Sequence, residues 1–99
     1  MMMNVNVKFI GALRHIAGGS KTVTIADTCS NFTVKDLIQQ IVLDVPALKT
    51  DIIIQQTNGS VKTNALILIN DREISVLNGV DTLLANGDEI IFIPVVHGG

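Results

Sequence analysis

The sequence predicts an α+β domain in which a mixed sheet of four to five strands packs on one main helix. Three observations carry this. Asn4 to Ile10 alternates strictly, with Met3, Val5, Val7 and Phe9 on one side and Asn4, Asn6 and Lys8 on the other, the period of a half-buried strand. Val34, Leu37, Ile38, Ile41, Val42 and Val45 recur at helical spacing, with Lys35, Gln39, Gln40 and Asp44 turned away. Leu66-Ile67-Leu68-Ile69 and Ile90-Ile91-Phe92-Ile93 are short continuous apolar runs, which suit strands with large side chains on both faces.

Taken in order, the first strand leads into Gly11 to Gly19, where Leu13 and Ile16 stand three apart before Gly18-Gly19, a pattern that predicts a connecting loop with at most one helical turn. Lys21 to Ala26 is the hairpin partner of the first strand. Asp27 to Phe32 is polar and turn-rich. Thr33 occupies an N-cap position with Asp36 three residues on, a variant of the capping box. Pro46 ends the helix. Ile52 to Gln56 predicts a short strand and Thr57-Asn58-Gly59-Ser60 a turn. Ala65 to Asn70 is a further strand, after which Asp71-Arg72 turns the chain into Glu73 and Ile74. Val80 to Leu84 reads as a loop or single turn, and Asn86-Gly87-Asp88 turns into the last strand, Glu89 to Pro94.

Composition narrows the function. Ninety-nine residues suffice for one core and leave little room for an elaborate active site. Seven Lys and Arg against nine Asp and Glu give a charge of −2 without a basic cluster, which argues against direct nucleic-acid binding. Cys29 is the single cysteine. It excludes an internal disulfide and a multi-cysteine zinc site, fits a reducing cytosol, and has no His, Lys or Arg within three positions to activate it. His15 and His97 are far apart in the chain, so no metal site is expected. Met1-Met2-Met3 has no basic region beside it, and the apolar runs are too short for a signal peptide or membrane span. Any of the three could be the starting residue. A soluble, cytoplasmic protein is expected.

The most informative feature is the end. Val95-Val96-His97 runs into Gly98-Gly99, and glycine's lack of a Cβ makes such a tail thin enough to thread into a narrow channel, with no side chain obstructing the terminal carbonyl. At a glycine usage of roughly 7%, two terminal glycines arise by chance in about 0.5% of chains. An engineered or frayed end is the bland alternative. One helix covers only one face of a sheet. The other face therefore carries an apolar patch, either a protein interface or the seat of a second, unread helix.

Leu66-Ile67-Leu68-Ile69-Asn70-Asp71, then Leu77, Asp81, Leu84 and Asp88, then Phe92-Ile93 and His97-Gly98-Gly99 resemble the sulfur-carrier branch of the ubiquitin-like β-grasp proteins, and within it the ubiquitin-related modifier family. Phe9-Ile10-Gly11-Ala12-Leu13-Arg14 through Ala17-Gly18, Thr33-Val34-Lys35-Asp36-Leu37 and Pro94 are also similar to the small subunit of molybdopterin synthase. The shorter thiazole-pathway carrier shares only the diglycine.

The resemblance implies a β-grasp domain over residues 1–94 and a flexible tail over 95–99. It implies a modifier and sulfur carrier that is itself no enzyme: a ubiquitin-activating-like partner uses ATP-Mg to adenylate Gly99 and leads it to a thiocarboxylate, for tRNA thiolation or for joining to lysines of target proteins. The chain binds no cofactor. Gly98 and His97 serve tail recognition in this view, although His97 is equally well a polar, exposed residue. The alternatives are a molybdopterin-synthase small subunit, acting with its large subunit, and a β-grasp interaction domain that is never activated. Counting the ubiquitin-like pattern back from the diglycine puts Ile90 and Phe92 in the core and Ile91 and Ile93 outward, as a partner-binding surface. Lys8, Lys21, Lys35, Lys49 and Lys62 are possible self-conjugation sites, more simply read as solubilising surface.

Overall fold

The alternation at the N-terminus forms β1, Met3–Phe9, which buries Val5, Val7 and Phe9 and exposes Asn4, Asn6 and Lys8. The computed structural model describes residues 2–26, 31–57 and 60–95, with the backbone alone for 53–57 and 60–62. β2, Ser20–Ile25, returns antiparallel from Lys8↔Ser20 to Met3↔Ile25. Between them lies α1, Ala12–Ala17, a six-residue helix where a loop with one turn was expected. Leu13 explains the gain: it is 1% exposed and anchors the segment in the core, so tertiary burial outweighs the poor local signal.

α2, Val34–Asp44, starts at the expected cap. Thr33 Oγ1 accepts the Asp36 N–H at 3.3 Å, and Asp36 Oδ2 accepts the Thr33 N–H at 2.9 Å, so two otherwise unpaired donors are satisfied. Val34, Leu37, Ile38 and Ile41 face the sheet, with Val42 and Val45 partly buried beside them. Pro46 ends this helix but not the helical geometry. It opens a 3₁₀ turn, Pro46–Leu48, followed by the helical turn α3, Lys49–Ile52. Proline lacks only an N–H that is unpaired at a helix start anyway, and the two turns bury Leu48 and Ile52.

β3, Ile53–Thr57, and β4, Ser60–Thr63, form a separate antiparallel ribbon. The sequence predicts β3 within one residue but not β4, whose short Ser-Val-Lys-Thr stretch has a single large apolar residue. The remaining strands are β5, Ala65–Ile69, β6, Arg72–Glu73, and β7, Glu89–Pro94. The β5–β6 turn falls one residue earlier than expected: Asn70 and Asp71 take φ of 48° and 70°, the positive values that a tight hairpin needs. The stretch after Asn78 is a single 3₁₀ turn, Gly79–Asp81, as anticipated.

The main sheet has the order β2-β1-β7-β5-β6. β7 lies at its centre, parallel to β1 and antiparallel to β5, so the mixed sheet of the α+β prediction is observed. The turn before β7 fixes its register. Asn86 Oδ1 accepts the Asn4 N–H at 2.8 Å, Asp88 accepts from Ala85 N at 2.8 Å and Asn70 Nδ2 at 2.9 Å, and Asn70 Oδ1 accepts the Glu89 N–H at 3.0 Å. Below the sheet Phe9 and Phe92 stack at 5.4 Å, both essentially buried.

Candidate functional site

β7 positions the site. Ile90 and Phe92 are 0% exposed, whereas Ile91 and Ile93 point to the opposite face and are half-buried, the register expected from the sequence. β5 brings matching side chains alongside: Leu66 stands opposite Ile93 and Leu68 opposite Ile91. Four aliphatic side chains from the two strands thus form one patch. The β1–β2 half of the same face is polar and satisfies itself, with Thr24 Oγ1 donating to Asn4 Oδ1 at 2.8 Å and Thr22 Oγ1 to Asn6 Oδ1 at 3.2 Å. The sheet face is therefore divided, and its apolar half borders the strand that leads to the C-terminus.

At that end of β7, Pro94 packs over Gly11. A Cβ on Gly11 would lie 3.2 Å from Pro94 Cγ, and its φ of +60° disfavours any side chain. Beside this contact opens a cleft of about 410 Å³, whose lining includes Lys8, Gly11, Arg14, Gly18, Gly19 and Ser20. Lys8 stands opposite Ile91 in the parallel β1–β7 pairing. The cleft and the apolar patch thus meet at Lys8, and Val95, the residue after β7, is 45% exposed.

Ile91 and Ile93 are brought together on one face as predicted. His97, Gly98 and Gly99 lie outside the described residues, as does Cys29. His15 is exposed on α1, and no group of three or more potential metal ligands occurs among the described residues. Leu66 and Leu68 were legible as part of an uncovered face, since a continuous apolar run must present both faces. Lys8 and Arg14 were not, because their association with the last strand depends on a parallel pairing across most of the chain. Asp36 is engaged in the cap of α2, as expected.

A mixed sheet with its first and last strands parallel at the centre, a helix across one face and an apolar patch leading to a C-terminal diglycine defines a ubiquitin-like β-grasp carrier or modifier. The family profile of Urm1 (Ubiquitin related modifier) matches residues 4–99, and the chain belongs to that family. Ubiquitin-related modifier 1 of Saccharomyces cerevisiae (strain YJM789) is 34% identical over 99 residues, covering 99% of this chain and 100% of the relative. Sulfur carrier protein CysO of Mycobacterium bovis is 27% identical over 97 residues, covering 98% and 100%. Among solved structures, small archaeal modifier protein 1 from Methanosarcina acetivorans superposes with a TM-score of 0.78 at 32% identity, covering 100% of this chain and 99% of that one. A putative molybdopterin converting factor subunit 1 from Pyrococcus furiosus shares the fold, with a TM-score of 0.73 at 22% identity, covering 95% and 99%. Members of the family are modifier and sulfur-carrier proteins, and this chain is accordingly no enzyme.

Proposed function

We propose that this chain is a ubiquitin-like modifier and sulfur carrier activated at the carboxylate of Gly99. The observation that carries the proposal is that the family match runs through residue 99 and so includes Gly98-Gly99. A carboxylate is a poor electrophile, because loss of oxide is unfavourable and its charge repels nucleophiles. Attack of the Gly99 carboxylate on the α-phosphorus of ATP-Mg in an adenylating partner expels pyrophosphate and leaves a mixed anhydride. A persulfide sulfur then displaces AMP, and a thiol reduces the resulting acyl disulfide to the thiocarboxylate. The partner supplies the groups that stabilise charge in these steps. This chain supplies the carboxylate, a tail with no side chain at its last two positions, and a surface for recognition centred on Ile91 and Ile93.

Residues 1–94 act as the folded body and 95–99 as the reactive tail, with His97 and Gly98 read by the partner. The product serves tRNA thiolation, through a thiolation enzyme, or isopeptide formation with lysines of target proteins, in the cytoplasm. The test is intact-mass analysis after incubation with ATP-Mg, a sulfide source and the cognate activating enzyme. Replacement of oxygen by sulfur adds about 16 Da. The same chain lacking Gly99 should gain nothing, and an unchanged mass for the full chain would refute the proposal.

A further inference from the structure

We propose that Asn78 is a site of spontaneous deamidation, at which the folded chain converts its asparagine to aspartate and isoaspartate and so acquires a chemical record of its age. This is independent of the function proposed above. The chemistry needs no enzyme. A solvent base takes the proton of the following backbone N–H, the freed electron pair attacks Cγ of the asparagine, and the bond from Cγ to the side-chain nitrogen breaks. Ammonia leaves, and a five-membered succinimide remains. Water then opens the ring: attack at Cγ gives aspartate, and attack at the main-chain carbonyl gives isoaspartate. Glycine is the best follower, because no Cβ shields its nitrogen.

The sequence holds three Asn-Gly pairs, of which Asn58-Gly59 lies outside the described residues. The other two are matched in most respects. Asn78 and Asn86 are both exposed, and Gly79 and Gly87 take φ of +60° and +88° with nothing within 4 Å of a Cβ position. Their hydrogen bonds differ. Asn86 Oδ1 accepts the Asn4 N–H at 2.8 Å, and the Gly87 N–H donates to the Asn4 carbonyl at 2.7 Å. Both reacting groups are thus tied to β1, and bringing them together means parting the turn from the sheet. At the other pair the Asn78 side chain makes no cap bond, and the Gly79 N–H has no acceptor among the described residues. Asn78 has ψ of 25° and must rotate to bring Cγ to that nitrogen. The bonds in its way are local: the Asp81 N–H to the Asn78 carbonyl at 3.1 Å and the Asn78 N–H to Thr82 Oγ1 at 3.0 Å. One short 3₁₀ turn opens at far lower cost than a sheet.

The product changes both charge and shape. A carboxylate appears in the stretch from Glu73 to Pro94, which already holds Glu73, Asp81, Asp88 and Glu89 and has no Lys, Arg or His, so like charges gather without a cation among them. Isoaspartate also lengthens the main chain by one carbon. The turn it enters supports α2, because the Thr82 carbonyl accepts the Val34 N–H at 3.0 Å and Leu83 bridges Thr33. The isoaspartyl form should therefore melt below the parent, and the aspartyl form closer to it.

The test is peptide mapping by mass spectrometry of the purified chain, held folded for weeks at neutral pH and physiological temperature. Each event adds about 1 Da, and chromatography separates the two isomers. Asn78 should convert at least about tenfold faster than Asn86 in the folded chain, and the two rates should agree within about twofold in guanidinium chloride, where the turn contacts are gone. Asn78→Gln, whose ring closure would need six members, should stay unmodified at that position and melt like the parent. Comparable rates at Asn78 and Asn86 in the folded chain, or a faster rate at Asn86, would overturn the inference. So would an Asn78 that stays intact in the folded chain while converting in guanidinium chloride.

Discussion

Phe92→Ala tests how far the stability of the domain depends on its last strand. Phe92 is 0% exposed and its ring stacks on Phe9 at 5.4 Å with an interplanar angle of 22°. Removing roughly 150 Å² of buried ring surface, at about 25 cal/mol per Å², costs roughly 4 kcal/mol. Incomplete collapse of the cavity keeps the expected loss at about 3–5 kcal/mol. That is a large part of the roughly 5–15 kcal/mol available to a domain of ordinary stability. At about 4–8 °C per kcal/mol, Tm should fall by at least about 12 °C, measured by circular dichroism melts and checked by urea titration. Ile93→Asp, one position along on the opposite face, should melt within about 5 °C of the parent because aspartate there meets solvent. A Phe9→Leu and Phe92→Leu cycle should return a coupling of about 0.5–1.5 kcal/mol for the ring pair. A Phe92→Ala protein that melts like its parent while Ile93→Asp unfolds would refute the assignment of faces on β7.

Two further predictions concern local structure. Thr33→Ala removes the side chain that caps α2 and leaves the Asp36 N–H without that acceptor, and should cost about 1 kcal/mol in urea-derived stability. Asp71→Gly replaces a non-glycine residue held at φ of 70°. It should raise stability by roughly 0.5 kcal/mol, since the left-handed strain relieved exceeds the added freedom of the unfolded chain, and a lower urea midpoint would contradict this.

Much of the fold was legible because its signals are local. The Thr33–Asp36 cap, the spacing from Val34 to Ile41, and the continuous run from Ile90 to Ile93 each state a geometry within a few residues. What escaped was set by partners distant in sequence. Leu13 makes α1 a six-residue helix by entering a core built from other strands, whereas the Leu13–Ile16 spacing by itself announces only a single turn. Pro46 reads correctly as a stop for α2 but is also suited to begin the next turn, and only the burial of Leu48 and Ile52 decides between these. Ser60–Thr63 carries too little apolar character to announce a strand. The candidate site divides in the same way. Ile91 and Ile93 follow from alternation counted along one strand, while Lys8 joins them through β1–β7 pairing, which no local pattern specifies.

The central place of β7 ties folding to completion of the polypeptide. Its neighbours are β1, made first, and β5, so closing the sheet joins the two ends of the chain, and such long-range pairing is slow to form. A chain broken off before Glu89 lacks the strand that links β1 to β5, and with it Ile90 and Phe92 from the core. Loss of that strand leaves apolar surface open to proteolysis and quality control. The same strand runs into the residues that carry the diglycine. A closed core therefore certifies that synthesis has passed Pro94, and the fold serves as a check on its own product, withholding a complete sheet face from shorter fragments.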